Sequence, residues 1–286
     1  LLKFIGYSPV DFKNNRKPVI ITEYASNGSL NDILEIDRTN PNSIQGWDDT
    51  KKLIVIYGVA SGMSYLHSHN ILHRCLKPST IYLNEILFPK IGDFGLSMNF
   101  YNSNSLTVQS ISGLQGSPVY SAPEVLQYDA YSKASDVYSF GFIVYELLMN
   151  EVPFKNINNF NKIITEIVTK NNRPELNDSI PKKFKELIEK CWDQDPNQRP
   201  SFDDISFYLR MDQDFISDKI DKESYQKYIE FIDEQTQNNA CKLIIEYEDE
   251  DVNSSEINKN VNSTQTFVSE TNVNLPETFV FETNEN

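Results

Sequence analysis

The sequence predicts an α+β fold in which a few strands at the start give way to a mostly helical body. Three observations carry that expectation. The stretch "RKPVIITEYAS" (16–26) is β-branched and aromatic, the composition of a half-buried strand. "KKLIVIYGVASGMSYLHSH" (51–69) repeats apolar residues at Leu53, Ile56, Val59, Ala60, Met63 and Leu66, a spacing that lays one wide apolar face along a helix. "DVYSFGFIVYELLM" (136–149) is apolar on nearly every side, the mark of a helix surrounded by core.

The remaining elements follow in order. The first strand breaks at "NGSL", a turn leading into a helix. Two short apolar pieces, "TIYLN" (80–84) and "PKIGDFG" (89–95), are joined by a turn-prone link and read as a small hairpin. "NNFNKIITEIVTKN" and "PKKFKELIEKCW" read as amphipathic surface helices. After Arg210 the residues Ile220, Tyr225, Tyr228, Ile229 and Ile232 keep helical spacing, so one further helix is expected. Beyond about Gln237 the chain is rich in Asn, Glu, Ser and Thr, with little to bury, and is expected to be disordered. Near its end "TFVSETN" (266–272) recurs as "TFVFETN" (278–284), either a low-complexity duplication or a short docking motif.

Charge separates the body from the tail. Residues 211–286 hold 18 Asp+Glu and 5 Lys, a net of −13, whereas residues 1–210 hold 23 acidic and 21 basic residues, a net of −2. An acidic tail repels phosphates and argues against nucleic-acid and anionic-membrane partners. Cys75, Cys191 and Cys241 are odd in number and widely spaced, so neither a disulfide framework nor a CxxC metal site is expected. That composition, with no signal peptide and no apolar run of membrane-spanning length, leads to the expectation of a cytoplasmic protein.

Six motifs occur in order: "ITEYASNGSL", "HRCLKPST", "IGDFGLS", "GSPVYSAPE", "SDVYSFGFIVYELL" and "CWDQDPNQRPSF". Together they resemble the C-terminal lobe of a protein kinase of the tyrosine-kinase-like group, Ser/Thr type, over residues 1 to about 210. The resemblance implies a kinase-like fold with a remnant of the small lobe and hinge at 1–25 and a large lobe at 26–210. An extra helix at 211–237 and an acidic tail at 238–286 would follow. Because the sequence opens at Leu1, near the fourth small-lobe strand, most of that lobe is expected to be missing.

Carried over residue by residue, the resemblance assigns roles. Thr22 falls at the gatekeeper, Glu23 and Ala25 at the hinge that meets adenine, and Tyr82 beneath the adenine ring. Asp93 would hold the Mg²⁺ that bridges the ATP phosphates, and Lys77 would steady the transferred phosphoryl group. Arg74 would pair with a phosphate on the activation segment, where Ser97, Ser103, Ser105, Thr107, Ser110, Ser112 and Ser117 are candidate acceptors. Glu124 with Arg199, Asp136, and the pair His73 and Phe94 match scaffold positions, with Trp192 beside them and Phe4 a weaker match.

The departures decide the function expected. Cys75 stands where these enzymes keep the carboxylate that accepts the substrate's proton. A thiol with an ordinary pKa of about 8.5 is mostly neutral at pH 7 and accepts poorly. Thr80 replaces the asparagine that ligates a second Mg²⁺, and Tyr82 is larger than the usual aliphatic residue. Losing a general base costs about 10²–10⁴ in rate. The expectation is a pseudokinase that scaffolds or regulates phosphorylation signalling, with other proteins as partners, an active kinase or its substrates. The rival is an active Ser/Thr kinase whose small lobe lies outside this sequence. Cysteine catalysis or redox sensing at Cys75 is a minor alternative, because no His–Asn pair is suggested to activate the thiol.

Overall fold

A computed structural model describes residues 1–99 and 118–253, with side chains described at 1–98 and 118–237. Two compact units emerge: the first gathers Leu1–Phe4 with Ala25–Tyr225, and the second joins Ile5–Tyr24 to the chain from Gln226 onward.

The first unit is mostly helical. Helix α1 (Leu30–Thr39) starts at Ser29, whose hydroxyl and Asp32 carboxylate cap each other's backbone, just after Gly28 at φ +69° makes the turn. Helix α2 (Asp49–Ser68) is capped by Asp48 and buries Ile54, Val55 and Tyr57 as well as the expected stripe, so it is enclosed on more than one face. Strand β3 (Ile71–Leu72) pairs antiparallel with β6 (Met98–Asn99), a contact across the "HRCLKPST" loop that local pattern did not signal. Strands β4 (Ile81–Leu83) and β5 (Pro89–Ile91) form the expected hairpin, with Ile81 opposite Ile91 and Tyr82 opposite Lys90.

Helix α3 (Pro123–Tyr128) precedes α4 (Lys133–Met149), which is buried continuously from Ser135 to Leu147, as its all-round apolar character predicts. Gly141 on α4 allows close approach: a Cβ there would lie 2.9 Å from the Cβ of Cys191. The expected helix near 158–171 begins as α5 (Phe160–Ile164) but widens into a π turn over Thr165–Thr169, where Lys170 N–H reaches Thr165 O at 3.1 Å. Helix α6 (Lys182–Cys191) buries Phe184, Leu187, Ile188 and Cys191 on one face and packs along α4. Helix α7 (Phe202–Met211), capped by Ser201, packs along α2.

In the second unit β1 (Phe4–Ser8) and β2 (Val19–Thr22) make a two-stranded sheet. Asp11 shapes the loop between them by accepting from the Asn15 side-chain amide and from the Lys13 and Asn15 N–H groups, and these bonds, the side-chain one foremost, hold its carboxyl below the usual range. Helix α8 (Lys222–Asn253) corrects the expected boundary of the tail, because its backbone stays helical well past 237. Ala240, Lys242, Leu243, Glu246, Glu248 and Glu250 are strong helix formers, and that propensity outweighs the scarcity of buriable residues. The "TFV-ETN" repeats lie outside the described residues.

Candidate functional site

The motif residues of the first unit converge on one loop held by a buried carboxylate. Asp136, in the first turn of α4, is 1% exposed. Its Oδ2 accepts from His73 N–H at 2.9 Å and from His67 Nε2 at 3.0 Å, and its Oδ1 accepts from Arg74 N–H at 2.9 Å. A carboxylate buried without such donors would be costly, so the bonds from His73 and Arg74 fix where "HRC" must run. Arg74 consequently takes a left-handed φ of +65°.

His73 is fully buried, with Nε2 3.0 Å from Gly92 O and Nδ1 accepting from Cys75 N–H at 3.3 Å. A carbonyl only accepts, so the ring proton sits on Nε2 and the imidazole is neutral. Burial lowers its pKa, although the Asp136 charge pulls the other way. Its ring packs on Phe94, centroids 5.4 Å apart.

Cys75 and Thr80 differ from this scaffold in what they can do. Cys75 is half-buried, and burial pushes its thiol up from its ordinary value, with neighbouring Lys77 partly opposing. It is therefore a neutral S–H at pH 7. Thr80 is 1% exposed, and its Oγ1 accepts from Lys77 N–H at 3.1 Å while its proton is shared between Cys75 O at 3.1 Å and Lys77 O at 3.0 Å. The hydroxyl is spent inside the loop, capping the short turn Pro78–Thr80. Asp93 points the other way in character, exposed and at a left-handed φ of +61°.

Tyr82 lies against the backbone just before Asp93: a Cβ at Gly92 would sit 2.9 Å from Tyr82 Cε2 and 3.1 Å from Leu2 Cδ2. Burial and the charges of Asp93 and Asp32 raise the Tyr82 phenol's pKa. Beside the loop, Arg74, Cys75, Lys77, Tyr120 and Tyr131 enclose a space of about 30 Å³, room for one water. The Arg74 guanidinium lies 4.2 Å over the Tyr131 ring, and its Nε is buried without a partner. Ser97 Oγ is also buried without a partner. Ser103, Ser105, Thr107, Ser110, Ser112 and Ser117 lie outside the described residues. Thr22 and Glu23 belong to the second unit, whereas Ala25 belongs to the first and accepts from Gly28 N–H at 3.1 Å.

Glu124 and Arg199 form a bidentate pair at 2.7 and 2.9 Å, and Arg199 also donates to Asp193 O and Ala134 O. Two groups escaped the sequence reading. His67 supplies the third donor to Asp136, and only its place near the end of α2 hinted at it. Glu146, buried on α4, joins Arg38 at 2.6 Å and the Tyr120 hydroxyl, with burial raising its carboxyl pKa. Among the described residues no cluster of three or more His, Cys, Asp or Glu side chains could hold a metal ion, and no helix is long and apolar enough to cross a membrane.

Comparison with known proteins agrees with this architecture. The protein kinase domain model matches residues 9–208. A Dictyostelium discoideum chain named a probable serine/threonine-protein kinase is 34% identical over 190 residues, 66% of this chain and 14% of its own length. The dual specificity protein kinase shkB of the same organism is 32% identical over 188 residues, 65% of this chain and 28% of its own. Its dual specificity protein kinase pyk3 is 35% identical over 188 residues, 66% and 13%. The chain thus spans well under a third of the length of these relatives. With the family model covering most of its length, the chain belongs to the protein kinase domain family.

Proposed function

We propose that this is a catalytically impaired kinase domain acting as a scaffold or regulator in cytoplasmic phosphorylation signalling, with an active kinase or its substrates as protein partners. The observation that carries this reading is the neutral Cys75 thiol at the position for the proton acceptor, its pKa raised further by burial. A neutral S–H donates weakly and cannot take the substrate hydroxyl's proton efficiently, a loss of about 10²–10⁴ in rate. Phosphoryl transfer leans mainly on positioning and electrostatics, so the metal ligands also matter.

The residues fit one magnesium position and not a second. Asp93, an exposed carboxylate, would suit a Mg²⁺ ion, which would supply charge neutralisation for the nucleotide phosphates. Thr80 does not fit as a further ligand, because its oxygen is buried and already shared among three backbone groups. When bound, Mg²⁺–ATP would supply the phosphoryl group and neutralise its charge. Lys77, still present beside Cys75, would add one cation there.

That retained lysine, together with relatives named serine/threonine and dual specificity kinases, favours the second reading, an active protein kinase with an unusual loop. A radiolabelled phosphotransfer assay on the complete protein, with a generic Ser/Thr acceptor, separates the two. The expected result is negligible transfer by the wild type and a gain in Cys75→Asp/Thr80→Asn. Robust wild-type transfer that Asp93→Ala abolishes would establish the active enzyme instead. Nucleotide thermal shift with and without Mg²⁺ tests the Asp93 position, and the expected shift is small and Mg²⁺-dependent.

A further inference from the structure

A cleft of about 250 Å³, open to solvent on one side, lies on the first unit away from Cys75 and Asp93, where the end of α2 meets the first turns of α4 and α7. Val137, Pro200 and Phe202 give it apolar walls, and Lys133 and Asp203, both exposed and opposite in sign, stand among its lining residues. The other polar lining groups are committed. Ser201 Oγ bonds the Asp204 carboxylate at 2.6 Å, Ser68 Oγ donates to Tyr65 O at 2.7 Å, and Arg199 makes four bonds to Glu124 and two carbonyls.

His67 is different. It is 6% exposed, and its Nε2 lies 3.0 Å from Asp136 Oδ2. The carboxylate accepts, so Nε2 carries a proton, and in the neutral ring Nδ1 is an acceptor. Phe202 meets the imidazole edge-to-face, centroids 5.1 Å apart, and forms the adjoining apolar wall.

We propose that this cleft is a binding site for a small neutral aromatic hydrogen-bond donor of the phenol or indole type. Its O–H or N–H donates to His67 Nδ1, and its ring lies against Phe202 and Val137. Size is compatible with the class, because about 250 Å³ leaves room for a one- or two-ring body against the apolar wall. Charge supports neutrality: the paired Arg199 offers no free counter-ion, and Lys133 and Asp203 oppose each other. The site also has a line to the catalytic loop, since His67 and His73 N–H share the same Asp136 oxygen. Donation to Nδ1 raises the ring's donor strength at Nε2 and so changes the competition for that oxygen.

The test is an NMR titration of the isotope-labelled full chain with indole, and with 1-methylindole, which keeps the body but lacks the N–H. Saturable shifts at the His67 ring and at the His73 and Arg74 amides are expected with indole at about 1 mM or tighter. Binding of 1-methylindole should be about 10-fold weaker, since a buried acceptor is left unmet. Ala134→Phe, which fills the cleft, should abolish the indole shifts. No saturable shift with indole, equal binding of the two ligands, or binding unaffected by Ala134→Phe would each overturn the proposal. If Ala134→Phe fails to fold, the comparison of the two ligands on the wild type still decides. The readout is binding alone, so it stands or falls independently of phosphotransfer.

Discussion

Two carboxylates 43 residues apart in the sequence, Asp93 and Asp136, have opposite fates here. Asp136 is 1% exposed and answers to three N–H donors, whereas Asp93 is exposed and faces outward from a left-handed turn. The first belongs to a buried frame that includes the Glu124–Arg199 pair and the neutral His73. The second stands outside that frame, exposed on its left-handed turn. The frame persists because each of its polar groups would be costly to leave unpaired. An exposed carboxylate carries no such penalty, so a change there can leave the course of the loop intact.

The largest expected effect sits on the frame. Asp136→Ala leaves three buried donors unmet and should lower unfolding free energy by about 3–5 kcal/mol, measured by urea denaturation; Asp93→Ala should be nearly silent in the same experiment. Equal losses from the two variants would break the distinction. Thr80→Val should cost about 1–2 kcal/mol, because it strands the Lys77 N–H, and Thr80→Ser should recover most of that. A silent Thr80→Val would show that the hydroxyl does not brace the loop.

Smaller effects come from titration. His73 has its pKa lowered in the fold by burial, so its contribution is present above the unfolded value of about 6.5 and is lost as pH falls below it toward the folded value. Stability measured between pH 7 and 5 should decline, and His73→Gln should flatten that acid limb. Cys75 has its pKa raised, which favours the protonated thiol. Its alkylation, taken as the difference from Cys75→Ser, should be slow at pH 7 and climb steadily through pH 9. Fast reaction at pH 7 would mean a thiolate and would reopen the question of a reactive cysteine.

How much of this was legible depended on whether a residue's partners were near in sequence or fixed by a motif. The hairpin of β4 and β5, the buried α4 and the one-sided α6 follow from spacing alone. Cys75 could be singled out from its neighbours in "HRCLKPST". The part played by Thr80 could not, because a threonine beside a proline gives no sign of which three backbone groups its hydroxyl will meet. His67 was equally silent: it reaches Asp136 only after α2 and α4 have packed. The same holds for Glu146, whose partners Arg38 and Tyr120 come from separate segments. The β3–β6 pair joins two strands of two residues each, too short for any periodicity to register.

The Thr80 hydroxyl also has a consequence in time. A loop whose turn is closed by an internal side chain reaches its shape before any ligand arrives, so nucleotide has nothing left to order there. Amide hydrogen exchange at Lys77 and Thr80, whose N–H groups bond Thr80 Oγ1 and Lys77 O, should therefore run at the same slow rate with and without Mg²⁺–ATP. In this protein the stillness of the catalytic loop would be a standing property of the chain, unrelated to whether a cofactor is in place.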